Sequence, residues 1–111
     1  MWLFTQVGFF SIVKKDGEGI VTVRSRSRSD MVQLCKQYLP KYSDKIHASE
    51  ETDYRYRIFV DQNEFARVAA QLVQDIDYPN FKNRVHTAQG PNRAHCYADV
   101  WSAVYRLQQQ E

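Results

Sequence analysis

Five arginines are the residues of this chain best suited to chemistry with a partner. Arg24, Arg26 and Arg28 recur at every second position, and so do Arg55 and Arg57. Successive side chains of an extended strand alternate between faces, so this period of two puts each set on one side of its strand. A guanidinium is planar and permanently charged, and its fork of N–H donors fits phosphate oxygens and stacks on rings. If the two strands are neighbours and their basic faces coincide, five cations line one side of a sheet, with Phe59 and one face of the first strand's aromatics as candidates to lie beside them. Such a surface suits phosphates and stacked bases. The plainer alternative is a solvent-facing sheet surface whose arginines pair with Glu50, Glu51 and Asp53.

Other groupings are weaker. His86, His95, Cys96 and Asp99 are the only metal-like set, with His95 and Asp99 four residues apart on a predicted helix. Zinc sites normally declare themselves through tight paired spacing, so a hydrogen bond between His95 and Asp99 is the simpler expectation and no metal is assigned. Asp75 and Asp77 are paired carboxylates at a helix end, and Asp77 before Tyr78-Pro79 reads as a helix cap. The chain has no glycine-rich phosphate loop and no nucleophile elbow. No catalytic residue and no cofactor are expected.

The elements that must position these residues follow from periodicity. Tyr54, Tyr56, Ile58 and Val60 alternate with Arg55, Arg57 and Phe59, which predicts a strand over 54–60. Asp61 then stands as an N-cap with Glu64 three residues on, opening a helix over about 62–76. Its apolar stripe is Phe65, Val68, Ala69, Leu72, Val73 and Ile76. Upstream, residues 2–14 read as one strand with apolar residues on both faces, and the turn Lys14 to Gly19 returns into a second strand, Ile20 to Arg26. Ser29-Asp30 are read as the cap of a short helix carrying Met31, Leu34, Cys35 and Tyr38, which Pro40 stops. A weak strand candidate lies around Lys45 to Ala48.

Downstream, Pro79 reads as the first position of a helix with Phe81, Val85 and Ala88 on its buried side, closed by Gly90-Pro91. Tyr78 either fills the corner there or stands at a groove with Lys82 and Arg84. A final helix over about 92–108 carries Ala94, Tyr97, Ala98, Trp101, Val104 and Tyr105. The order β-β-α-(β)-β-α-α-α predicts a single α+β domain over 1–111. Its antiparallel sheet has three to four strands, with helices packed on one side.

Composition agrees with one folded domain: 111 residues, 43% hydrophobic and 14% aromatic. The net charge of +2 singles out no partner, but residues 1–60 hold ten basic and seven acidic groups against five and six afterwards. Cys35 and Cys96 are read as ordinary thiols of a reducing compartment. The opening residues lack the pattern of a signal peptide, and no apolar run is long enough for a membrane span, so a cytoplasmic location is expected. Tyr97, Trp101 and Tyr105, with Trp2, raise an alternative to nucleic-acid binding: leftover aromatic surface serving a second subunit or another protein.

Several segments also carry a resemblance. Met1-Trp2-Leu3-Phe4-Thr5 with Gly8 to Val13, Asp53 to Arg57, Asp75 to Lys82, Arg93-Ala94-His95 and Val100-Trp101 resemble a family of small uncharacterised bacterial proteins. The resemblance spans nearly the whole chain. It implies a bacterial cytoplasmic source and brings no activity or site with it.

Overall fold

The computed structural model describes residues 1–15 and 17–111. Asp16, part of the expected Lys14 to Gly19 turn between the first two predicted strands, lies outside the described residues. The chain divides into two compact units, Met1–Ile76 and Asp77–Glu111.

Among the described residues, the first unit holds five strands of one antiparallel sheet: β1 (Trp2–Thr5), β2 (Gly8–Val13), β3 (Ile20–Ser25), β4 (His47–Ala48) and β5 (Tyr56–Asp61), in spatial order β1-β2-β3-β5-β4. The fold is α+β, and the five strands exceed the three to four that the sequence pattern predicts. Residues 2–14, expected as one strand, fold back on themselves at Gln6-Val7. Thr5 makes that turn: Val7 and Gly8 each donate a backbone N–H to Thr5 Oγ1 at 3.2 Å, and the Thr5 hydroxyl donates to the Gly8 carbonyl at 2.9 Å. The resulting register pairs Leu3 with Phe10 and Phe4 with Phe9. Partner numbers sum to an odd value, so the inward-facing positions switch from odd in β1 to even in β2. Read as one continuous strand, that switch looks like apolar residues on both faces.

Gly8 is required twice over. Its φ of 150° is disfavoured for side-chain-bearing residues, and a Cβ built there would overlap the Asp30 carboxyl. Asp30 is buried and accepts the Phe9 N–H at 3.0 Å, which ties the hairpin to the first helix.

That helix, α1 (Arg28–Tyr38), is capped by Ser27 and not by Ser29-Asp30. The Ser27 hydroxyl accepts the Asp30 N–H at 3.3 Å, and Asp30 falls in the first turn. Pro40 ends it as expected and starts a short 3-10 turn, Pro40–Tyr42. Helix α2 (Gln62–Gln74) begins on the Asp61 cap, whose carboxylate accepts the Glu64 N–H at 3.0 Å. Both helices pack on one sheet face. Met31, Leu34 and Cys35 of α1 and Phe65, Val68 and Leu72 of α2 meet Phe10, Ile12, Val21, Val23, Ile58 and Val60 in one core. The α2 stripe runs past this core, leaving Val73 and Ile76 exposed.

The second unit is a pair of helices, α3 (Phe81–Gln89) and α4 (Pro91–Gln109), joined at Gly90. Asn80, not Asp77 or Tyr78, caps α3: its side chain accepts the Asn83 N–H at 2.9 Å. Pro79, expected at the first helical position, instead lies two residues before Phe81, the first residue of α3. Val85 and Ala94 are buried, Ala88 is exposed, and Phe81 stacks on Tyr97 with centroids 6.1 Å apart. Helix α4 is ten residues longer than α3, and every residue from Trp101 onward is exposed. No helix among the described residues is long and apolar enough to cross a membrane.

Candidate nucleic-acid interface

The sheet face of the first unit opposite α1 and α2 carries the predicted basic residues. Strand β3 turns Val21 and Val23 into the core and Thr22 and Arg24 to the other face, where Thr22 is itself buried, while β5 turns Ile58 and Val60 inward and Arg57 and Phe59 to that other face. Arg24 is the register partner of Arg57 and Thr22 of Phe59, so the two predicted basic faces do coincide. The row through this pair crosses all five strands: Trp2, Ser11, Arg24, Arg57, His47.

Tyr54 organises the cations. It precedes β5 and does not join the core face expected of it; it is buried at 4% exposure beneath two guanidiniums, with Arg24 Cζ 4.4 Å and Arg26 Cζ 4.6 Å from its ring centroid. Its backbone carbonyl accepts Arg57 Nη2 at 3.2 Å. Arg24 also donates from Nη2 to Ser11 Oγ at 2.7 Å, and its buried Nε has no hydrogen-bond partner. Stacking on a tyrosine and bonding to neutral oxygens fix these side chains in place without neutralising them.

Two of the five arginines stand away from the predicted arrangement, and a third joins it by another route. Strand β3 ends at Ser25, where the serine hydroxyl accepts the Ser27 N–H and donates to the Ser27 carbonyl. Arg26 therefore reaches Tyr54 from the segment after the strand, and Arg28 becomes the exposed first residue of α1. Arg55 is exposed ahead of β5. Arg24, Arg26 and Arg57 are thus the convergent set. Among the described residues none of the five forms an ion pair, so the expected pairing with Glu50, Glu51 and Asp53 is not present.

Aromatic rings flank the pair. Phe59 is 39% exposed and meets the exposed His47 edge-on at 5.4 Å. At the other end of the row Trp2, 64% exposed, stands edge-on to Phe9 at 5.7 Å, and Phe9 stacks on Phe4 at 4.5 Å. The sequence pattern placed Phe59 here. Trp2 belongs to the first-strand aromatics expected beside the arginines, whereas His47 escapes the sequence pattern because the β4–β5 pairing carries little local signal.

The remaining candidates do not assemble a site. His86, His95, Cys96 and Asp99 are all exposed, His95 and Asp99 share no hydrogen bond, and no metal-binding group of three exists among the described residues. Asp75 accepts from Tyr38 Oη and from Gln71 Nε2, each at 2.7 Å, and these bonds hold its carboxyl below the usual aspartate range. Burial, and then Asp75, pushes Tyr38 up to about 12. Asp77 lies 3.6 Å from Arg84, and Tyr78 leans its half-buried ring toward Phe81 at 6.0 Å. Glu64 does not close the expected reciprocal box with Asp61. It bonds Lys41 Nζ and Tyr42 Oη, each at 2.9 Å, and Lys41 holds its carboxyl below the ordinary glutamate value. A surface cavity of about 290 Å³ lies beside it, lined by Tyr38, Arg67 and Gln71 among others, with no histidine or cysteine in its wall.

Comparison with protein-family models, with curated proteins and with solved structures found no match to this chain.

Proposed function

We propose that this chain is a non-enzymatic binding module whose arginine-bearing sheet face takes nucleic acid or another phosphate-rich ligand. The observation that carries the reading is Arg24 standing opposite Arg57 with Arg26 beside them and, among the described residues, no carboxylate paired to any of the three. Like charges directly opposite one another across two strands are destabilising. A sheet that keeps them side by side, oriented but not neutralised, is suited to a counter-charge supplied from outside.

Fluorescence anisotropy with labelled oligonucleotides at low and then rising salt tests this. Binding should be modest and fall steeply with salt, as phosphate contacts release counterions. Absence of binding to any polyanion at low salt, or binding that Arg24→Gln and Arg57→Gln leave intact, removes the reading.

A second reading rests on α4. Trp101 is 65% exposed and stacks on Tyr105 at 5.3 Å, with Val104 and Leu107 exposed nearby. An apolar patch of this kind fits a homo-oligomerising or protein-interaction surface. Light scattering over a concentration series separates it from a monomeric nucleic-acid binder: mass should rise with concentration, and Trp101→Ala should abolish the rise.

A further inference from the structure

Resting on the anion-binding reading above, we infer that the ligand of this face is single-stranded nucleic acid, laid across the strands along the row from Trp2 to His47. Arginines alone would accept any polyanion. What surrounds them here is more selective.

Besides Tyr54, which lies beneath the guanidiniums, Phe59 and His47 stand on the β5–β4 side of the arginine pair and Trp2 on the β1 side. Phe59 is two residues along β5 from Arg57, on the same sheet face, and His47 is the register partner of Arg57 on β4. Trp2 lies on the same row two strands beyond Arg24, about 10 Å away at the usual spacing of roughly 4.8 Å per strand. Each of these rings is exposed, although nothing in core packing requires an aromatic there. Ser11, between Trp2 and Arg24, is a small residue bonded by Arg24 and itself buried.

A backbone crossing the strands on Arg24, Arg26 and Arg57 could place bases on Phe59 at one end and on Trp2 at the other. Only unpaired bases offer their faces to such platforms, because a duplex keeps them stacked on each other. Stacking is indifferent to base identity, so the geometry points to weak sequence preference.

The test uses the full chain and three probes: a labelled oligothymidylate, a self-complementary duplex, and inorganic polyphosphate as competitor. The single strand should bind most tightly. Phe59→Ala and Trp2→Ala should each weaken it by roughly tenfold, the size expected when one base loses its ring platform, while leaving duplex and polyphosphate binding unchanged. Phe59→Leu, which keeps apolar bulk but removes the planar ring, should behave like Phe59→Ala, and circular dichroism verifies that each variant is folded. Equal or tighter binding of the duplex, or single-strand affinity unmoved by Phe59→Leu and Trp2→Ala, overturns the inference and leaves the anion-binding reading standing. Failure of all three probes to bind removes both.

Discussion

Arg24 and Arg57 are register partners on β3 and β5, and each is held by Tyr54: Arg24 stacks on its ring, and Arg57 bonds its carbonyl. One residue therefore positions both members of a like-charged pair. Facing like charges cost the free protein stability, a cost that the proposed ligand would offset.

Replacing Arg57 by Gln separates those two effects. The variant should be as stable as the wild type, or more stable by up to about 1 kcal/mol, because a cross-strand repulsion is removed. Oligonucleotide affinity should fall, and the log–log slope against salt should become shallower by about 0.7, since one phosphate is no longer neutralised. Urea unfolding and anisotropy titrations measure the two quantities on the same preparation.

Gly8→Ala should be among the most damaging small substitutions in the first unit. It forces a side chain into a disfavoured backbone region and into the space of the Asp30 carboxyl. Strain and overpacking together predict a destabilisation of roughly 2–5 kcal/mol. Because one neighbour causes part of the cost, the double variant Gly8→Ala, Asp30→Ala should be destabilised less than the two singles combined. Thermal or denaturant melts of the four proteins decide it.

Along α2, one apolar stripe contains both core and surface positions. Leu72 is 6% exposed and Val73 62% exposed. Leu72→Ala should cost about 2–5 kcal/mol, whereas Val73→Ala should stay within about half a kcal/mol. A similar cost at both positions would show that the stripe packs differently from this arrangement.

The two cysteines should differ sharply in reactivity. Cys35 is fully buried, and burial pushes its thiol up to about 11, whereas Cys96 is exposed. The thiolate is the nucleophile, so near neutral pH Cys35 offers almost none and is also shielded. Mass spectrometry after iodoacetamide should show one adduct on the native protein and two after denaturation. Two adducts on the native chain would contradict the packing of α1.

Much of this arrangement is legible in the sequence. The outward set Arg57 and Phe59 follows from strict alternation, and the Asp61 cap with the Phe65, Val68 and Leu72 stripe fixes α2 to within two residues. What is not legible depends on partners distant in sequence or on side chains bonding to backbone. The Thr5 hydroxyl turns the chain where alternation reads straight through, and Ser25 and Ser27 stop β3 before Arg26. Ser27 takes the cap from Ser29-Asp30 because Asp30 is committed to the Phe9 N–H. At the site, Tyr54 follows the alternation of β5 but leaves the core to lie under Arg24 and Arg26. No local pattern distinguishes a tyrosine packed on cations from one packed on leucines. The exposed end of α4 is likewise hidden, since its stripe reads as core and only the shortness of α3 leaves it uncovered.

The two-residue turn between Thr5 and Gly8 decides which rings the molecule shows to its surroundings. With Phe4 paired to Phe9, Trp2 stands on the surface and Leu3 packs against the core. Lengthening that turn by one residue, with β2 held in place, would exchange the two sides of β1 and present Leu3 outside while driving two rings inward. The proposed ligand face is in this sense a property of loop length: an insertion or deletion, with no change to any strand residue, would change which rings it presents.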